Sequence, residues 1–490
     1  MSLRKAPRMH QVYDYINQFV DKEIVILGLG REGLSTYQFL RNYLNTKPLW
    51  LVDEKGLSHL GEEWQKISAS DPNIQFSSHL KQEELTGNKT GVVIFKTPGI
   101  PPHNRLLEQA RTLNATFTSN TDLFFTVIKL INSGLDTENK KVEIIGVTGT
   151  KGKSTTTAII DHILTIAGIY SFLGGNIGIA PLSLFESIAD ATKNNATEYP
   201  VFAVLELSCH QLNDMTNSPN YAVILDITPE HLDYYESFNE YVAAKSHICM
   251  YQKESDFAIL DSELYIPKKI AHLSQARQLT FNFKRNIIHN WITVAKEKIA
   301  DLDTIPLIGQ HTIGNSLPAV VIAKQLGISN QDIARGLETF KSLPHRLELI
   351  EQIDGVSYYN DSLSTTPVAT IAAIKSFKTS PIILIAGGFD RGLDYSNLAQ
   401  TIVDHQIKHL ILLPDTGETI LDEVKKRLNN NMGEFTYTFV TSMQQAVRIA
   451  KESAKSGDII LMSPASASFN LFEDYQDRGN QFRKFASQKT

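Results

Sequence analysis

Apolar residues in this 490-residue chain fall in short unbroken runs, and each run ends at a turn rich in glycine, proline or polar residues. Beyond many of these turns the pattern changes to the amphipathic period of a helix. A run without polar interruption predicts a strand covered on both faces, and strand, turn and helix in repetition predict a parallel, doubly wound α/β layer. The first block opens with EIVILGLGREGLSTYQFLRNYL, with LWLVDE and GVVIFKT as further strands. The second opens with KVEIIGVTGTKGKSTTTAIIDHILTIAG. It continues through the strands VFAVLELS and YAVILDIT to helices at HTIGNSLPAVVIAKQLG and SNQDIARGLETF, the latter with Ser329 as its N-cap. The third carries the strands GVSYYND, PIILIAGG, HLILLP and DIILMSP, with helices such as TPVATIAAIKSF and MQQAVRIAKESAK between them.

The pattern breaks from about Asn132 to Lys140 and from Lys341 to Pro344. At roughly 150 residues per domain, the length agrees with three domains. The expected fold class is therefore α/β, each domain a mostly parallel sheet with flanking helices. Residues 1–138 are expected to be Rossmann-like, 139–343 P-loop ATPase-like and 344–490 Rossmann-like again. The two breaks are candidate hinges for closure of the domains.

Charge and composition narrow the function. Lys plus Arg number 47 and Asp plus Glu 53, a net charge of −6. That balance excludes a strongly basic coat, so no nucleic-acid partner is expected. Only Cys209 and Cys249 are present, too few for a disulfide framework or a cysteine-rich zinc site. The longest apolar runs are too short to cross a bilayer, and the first residues lack a signal-peptide core. A cytoplasmic protein with no membrane partner is the expectation.

The sharpest chemical signal is Gly149-Thr150-Lys151-Gly152-Lys153-Ser154-Thr155 between a strand and a helix. Glycines let backbone N–H groups turn toward phosphate oxygens, and the helix N-terminus adds positive potential. Lys153 can reach the β and γ phosphates, and Ser154 or Thr155 can ligate Mg²⁺. Val147 stands where the generic pattern has glycine. A second loop, Gly28-Leu29-Gly30-Arg31-Glu32-Gly33, follows the first strand, with Asp53 at the end of the next. It fits a dinucleotide, another diphosphate such as a nucleotide sugar, or a plain tight turn, and by itself does not choose. Glu206 closes the strand VFAVLELS, and His231 lies just beyond YAVILDIT. With the phosphate loop nearby, they can hold a magnesium that bridges phosphates. Lys245 lies on a helical segment, where spacing alone assigns a solvated face.

Taken in order, VTGTKGKSTTT, GGNIG, LELSCHQL, LDITPEHLDYY, YVAAK, GQHTIGN, LPHRLE, YNDSLSTT, GGFDRGLDY and SPASASFNLFEDYQDRGNQF resemble the motifs of the Mur ligases. LELSCHQL and the last segment favour the branch that adds D-glutamate to UDP-N-acetylmuramoyl-L-alanine. The resemblance implies an ATP-dependent amide ligase working through an acyl phosphate, with two Mg²⁺ ions (Mn²⁺ as a substitute), and a monomer. It implies that residues Gly149 to Thr155, with Asn315, Arg346 and Asp361, hold ATP. Ser154, Glu206, His231 and Lys245 as a carbamate would hold metal. Gly28, Leu29, Gly30, Arg31, Asp53, Thr97, Gly99 and Asn176 would meet the UDP-substrate. Thr365, Arg391, Ser468 and Phe469 would meet the amino acid.

The chain also departs from the family pattern. Leu363 replaces a lysine, Thr312 an asparagine, and Arg391 stands where lysine is common. Asn120 and Asp122 replace a Gly-Asp-x-Glu pattern near the uridine, and Ala189 to Tyr199 reads as an insert. Three other readings stand beside this one: a sibling ligase with a different amino acid, a nicotinamide dehydrogenase built on the Gly28 loop, and a nucleotide switch that binds ATP without ligation.

Overall fold

The computed structural model describes residues 7–80, 91–101, 103–113, 115–134, 141–377, 380–433 and 435–488. Three sheets dominate. The first comprises β1 (Glu23–Leu27), β2 (Leu49–Val52), β3 (Ile74–Ser77), β4 (Val92–Lys96) and β5 (Thr116–Thr118), all parallel, in the order β3-β2-β1-β4-β5. The second comprises β6 (Val142–Thr148), β7 (Ser171–Gly175), β8 (Val201–Glu206), β9 (Tyr221–Ile224), β10 (Phe257–Asp261) and β11 (Arg277–Phe281). Its order is β11-β10-β9-β6-β8-β7, again all parallel. Every residue of β1 and β8 is buried, as unbroken apolar runs require. In both sheets strand order reverses beside the first strand, and the loops that follow the strands there are where such folds bind ligands.

These two sheets belong to one compact unit, Met1–Leu302 with Asn315–Leu337. Part of what joins them is polar. Asn120 donates to the Glu32 carbonyl at 3.2 Å and to Thr36 Oγ1 at 3.1 Å, and accepts from the Leu182 amide. Asp122 accepts from the Thr216 amide and from Asn217 Nδ2, both at 2.9 Å. Asn120 and Asp122 therefore tie the first sheet's helix Asn120–Ser133 to the second sheet's loops. The first predicted break is also shorter at its start. Asn132 and Ser133 are helical, and Asn132 exchanges two 2.9 Å bonds with Val142; residues 135–140 lie outside the described ones. The presumed insert is helix Phe185–Asn194 as far as Asn194, with Ala189 and Ala191 in the core.

Glu32 is the costly member of this seam. Gln211 Nε2 donates to its Oε1 at 2.8 Å, while Oε2 is buried with no partner among the described residues. Burial pushes its carboxyl up to about 7, against smaller downward pulls from Gln211 and Arg31. From its ordinary 4.5 up to about 7 the folded chain binds more proton than the unfolded one, so this group's stability is lost as pH rises through that window. Glu32→Gln is therefore expected to stabilise the protein by about 1–2 kcal/mol at pH 8 and to leave it unchanged at pH 5. Thermal unfolding at the two pH values checks this; equal midpoints at pH 8 would contradict it.

A small antiparallel sheet, β12 (Ile287–Ile288), β13 (Trp291–Val294) and β14 (Glu297–Asp301), also belongs to this unit. The second unit is Asp303–Gly314 with Glu338–Thr490. Its sheet comprises β15 (Glu348–Ile353), β16 (Val356–Asn360), β17 (Ile382–Gly388), β18 (His409–Asp415), β19 (Tyr437–Phe439) and β20 (Ile459–Met462), in the order β15-β16-β20-β17-β18-β19. Only β15 is antiparallel, joined to β16 by a tight turn at Asp354 and Gly355, both at positive φ. Ser329 caps helix Asn330–Thr339 as predicted, accepting from the Asp332 amide at 3.1 Å. Among the described residues, no helix is long and apolar enough to cross a membrane.

Candidate functional site

β6 runs through the middle of its sheet and delivers the chain to the phosphate loop. Gly149 (φ 154°) and Gly152 (φ 87°) take conformations that side-chain-bearing residues rarely adopt. A Cβ on Gly152 would also stand 2.3 Å from Asn315 Oδ1, which puts Asn315 against the loop. Thr150 braces the turn: its amide donates to the Asp226 carbonyl at 2.8 Å, and its hydroxyl contacts the Thr228 carbonyl at 3.0 Å and the Tyr241 hydroxyl at 3.1 Å. Helix Lys153–Ile166 starts directly after Gly152, so its free N–H groups open onto the loop. Lys153 Nζ folds back over it, donating to the carbonyls of Gly149 (3.1 Å) and Thr150 (2.8 Å). Lys151 is exposed and Ser154 half-buried.

Glu206 pairs in register with Val147, two residues before the loop. Asn176 Nδ2 donates to its Oε1 at 2.8 Å, and the Asn176 amide donates to its carbonyl at 2.8 Å. Glu206 Oε2 and Thr155 Oγ1 are buried without a hydrogen-bond partner among the described residues. An open carboxylate oxygen beside a phosphate loop would suit a hard cation, which would neutralise phosphate charge. Among the described residues, no three His, Cys, Asp or Glu side chains gather into a ready-made cluster, so the protein's own ligand set is sparse.

Lys245, on helix Phe238–Met250, is 1% exposed, which overturns the solvated face assigned from spacing. Its Nζ donates to the Gly149 carbonyl at 2.8 Å and lies 4.7 Å from the Tyr241 ring centre. Burial, and then the Lys153 charge, push its ammonium down to about 7. His231, at φ 55°, is half-exposed with its ring 4.9 Å from that of His210. Burial, with His231 and Lys245 adding to it, holds His210 down at about 4.

The Gly28 loop stands at the end of β1. A Cβ on Gly28 would be 2.0 Å from Thr97 Oγ1, so this glycine lets the loop close against the Thr97-Pro98-Gly99 turn. Asp53 accepts from the amides of Leu29 (2.8 Å) and Lys55 (3.0 Å). The guanidinium of Arg31, in the same loop, donates to the carbonyls of Gly178 (2.7 Å), Asn176 (2.9 Å) and Gly175 (3.2 Å). The structure thus gathers Gly28, Leu29, Asp53 and Thr97 around one loop and sends Arg31 toward Asn176.

In the second unit, Thr365, Arg391 and the pair Ser468 and Phe469 follow β16, β17 and β20, which are neighbours in the sheet. Phe469 is 67% exposed, edge-on to Phe389 with ring centres 6.2 Å apart, while Ser468 is buried. Asp361 is buried and occupied: it accepts from the Leu347 amide (3.1 Å) and Ser463 Oγ (2.7 Å), and burial pushes its carboxyl up to about 6. Arg346 adjoins it, and His345 meets Asn360 Nδ2 at 2.9 Å. Sequence reasoning missed Arg478. This fully buried guanidinium ties Ser362 (3.0 Å and 2.8 Å) to the carbonyls of Ser466 (2.9 Å) and Ala467 (3.2 Å), so it joins two of the loops. Nothing in the local sequence marks it, because Asp474 and Asp477 make a charge at this helix start ordinary and its partner Ser362 lies 116 positions away.

Known proteins share this layout. The model of the Mur ligase middle domain matches residues 147–323, and that of the Mur ligase, glutamate ligase domain matches residues 345–466. A UDP-N-acetylmuramoylalanine–D-glutamate ligase of Clostridium tetani is 30% identical over 97% of this chain and 99% of its own. One of Clostridium beijerinckii is 32% identical over 95% and 96%. The MurF ligase of Thermotoga maritima in complex with ADP shares the fold at 13% identity, with a TM-score of 0.54 over 96% of this chain and 97% of that one. Matched in both domain models and along nearly its whole length by curated ligases, the chain belongs to the Mur ligase family.

Proposed function

We propose that this Mur ligase uses ATP to join D-glutamate to UDP-N-acetylmuramoyl-L-alanine, in the synthesis of peptidoglycan precursors in the cytoplasm. The observation that carries the reading is near-full-length similarity to several curated ligases of that name. The substrate's free carboxylate attacks the γ phosphorus of ATP, giving an acyl phosphate and ADP. The amine of glutamate then adds to the acyl carbon, and the tetrahedral intermediate expels phosphate and loses a proton to leave the amide.

Such chemistry asks the protein mainly for positioning and charge neutralisation. The loop amides from Gly149 to Thr155 and the Lys153 ammonium cradle the β and γ phosphates. Asn315 meets the adenine, Asp361 the ribose and Arg346 the phosphates. Ser154, Glu206, His231 and a carbamate on Lys245 hold magnesium, which neutralises phosphate charge when bound. The open oxygen of Glu206 supports that assignment. Residues 1–138 bind the UDP group through Gly28, Leu29, Gly30, Asp53, Thr97 and Gly99, 139–343 bind ATP, and 344–490 bind glutamate. Arg391, exposed beyond β17, can clamp a glutamate carboxylate with two bonds, supported by Thr365, Ser468 and Phe469. The enzyme works as a monomer, and Mn²⁺ can replace Mg²⁺.

Phosphate release with the UDP-substrate and ATP is expected to favour D-glutamate over L-glutamate, L-alanine and meso-diaminopimelate by roughly 10²-fold or more. Preference for one of the other amino acids would reassign the substrate.

A further inference from the structure

Asn176 donates to the Glu206 carboxylate, and the Asn176 carbonyl in turn accepts from Arg31, at the start of a helix of the first sheet. β7 ends at Gly175, in register with Glu206, and a Cβ on Gly175 would stand 2.2 Å from the Glu206 carbonyl. The chain then turns sharply through 175–179, with Gly175 (φ 100°) and Gly178 (φ 64°) in left-handed conformations. Its carbonyls at Gly175, Asn176 and Gly178 converge on one guanidinium, that of Arg31 from the Gly28 loop. Arginine suits this position because its planar fork satisfies several acceptors at fixed angles, which an ammonium cannot. From the same turn, Asn176 Nδ2 reaches Glu206 Oε1 and leaves Oε2 open.

We propose that Arg31 is a positioning residue for the Glu206 carboxylate, acting through the 175–178 turn and Asn176, and is not a ligand of the substrate diphosphate. The proposal rests on the reading of Glu206 as a metal carboxylate. It gives the glycine loop of the first sheet a second task, which is to hold the cation site of the second sheet in shape.

The sign of the effect separates positioning from simple charge. Removing a nearby cation should tighten binding of a divalent metal. Loosening the turn should weaken it, and losing an outer-shell partner commonly costs 10- to 100-fold in metal affinity. Arg31 is exposed, so its replacement leaves the core intact. Binding of Mn²⁺ by the full-length protein with ADP, followed by electron paramagnetic resonance, is the test, with UDP-N-acetylmuramoyl-L-alanine binding measured by calorimetry in parallel. Arg31→Ala is expected to weaken Mn²⁺ roughly 10-fold, with Arg31→Lys intermediate and the affinity for the UDP-substrate within twofold of the unsubstituted chain. Unchanged or tighter Mn²⁺ binding in Arg31→Ala overturns the proposal, and a lost affinity for the UDP-substrate in that case makes Arg31 a diphosphate ligand. Unchanged Mn²⁺ binding in Glu206→Gln instead withdraws the metal reading of Glu206 on which the proposal stands.

Discussion

Replacing Lys153 with methionine is expected to lower ATP turnover by roughly 10³-fold while leaving the thermal midpoint within a few degrees. Lys153 Nζ lies over the loop and donates to the carbonyls of Gly149 and Thr150, two backbone groups of the phosphate loop itself. Its removal therefore breaks little that holds the fold. What is lost is the charge that meets the β and γ oxygens as they become more negative in phosphoryl transfer. The loop amides and the helix N-terminus remain, so nucleotide binding should fall less than turnover does. Rates of ADP release and ADP affinity, measured on the same preparation, check both parts. Turnover within tenfold of the unsubstituted chain would remove Lys153 from the reaction.

Lys245→Ala is expected to be nearly as damaging, and Lys245→Glu to retain measurable activity. The physical basis is the burial of this amine. At 1% exposure, with Lys153 adding repulsion, the ammonium is pushed down to about 7, so a large share is free amine at neutral pH. Only the free amine can add CO₂, with loss of a proton, to form a carbamate. That converts a cation on the Gly149 carbonyl into an anion able to help hold a metal, a role that glutamate partly imitates. Higher pH increases the free amine and therefore carbamate formation across the neutral range. A carbamate resonance from ¹³C-labelled CO₂, present in the unsubstituted chain and absent in Lys245→Ala, checks the modification. Full activity in Lys245→Ala would contradict the role.

Much of the fold could be read directly from the chain because its central strands are covered on both faces. EIVIL, VFAVLE and IILIAGG have no polar interruption and need no knowledge of their partners. Most strands that the apolar runs do not mark are short, half-exposed or antiparallel, β10 being a buried parallel exception. β14 is EKIAD, with Glu297 and Lys298 in water and only Ile299 and Ala300 buried, and its turn depends on Ala295 and Lys296 at positive φ, where neither residue signals a turn. β15, ELIEQI, is a half-exposed edge strand.

At the site, the Gly149 to Thr155 loop was legible because its glycines, lysine and hydroxyls are contiguous. Spacing alone places Lys245 in water because it does not show the Gly149 carbonyl, 96 positions away, that receives its Nζ. Arg31 and Glu32 were overlooked as linking residues for the same reason. The resemblance gives Arg31 to the UDP-substrate and is silent on Glu32, while their partners lie at Asn176 and Gln211, 145 and 179 positions along the chain. Arg478 bonds residues 116 positions away. Motif spacing reports local backbone geometry well, and it does not register side chains whose partners come from another sheet.

The central claim is that a carboxyl group is activated by phosphorylation before an amine captures it. Substrate labelled with ¹⁸O in its terminal carboxylate, incubated with the protein, ATP, magnesium and D-glutamate, tests this directly. The account predicts one ¹⁸O atom in each phosphate released and ADP formed in equal amount to the new amide. Unlabelled phosphate, or ATP left unconsumed, would contradict it.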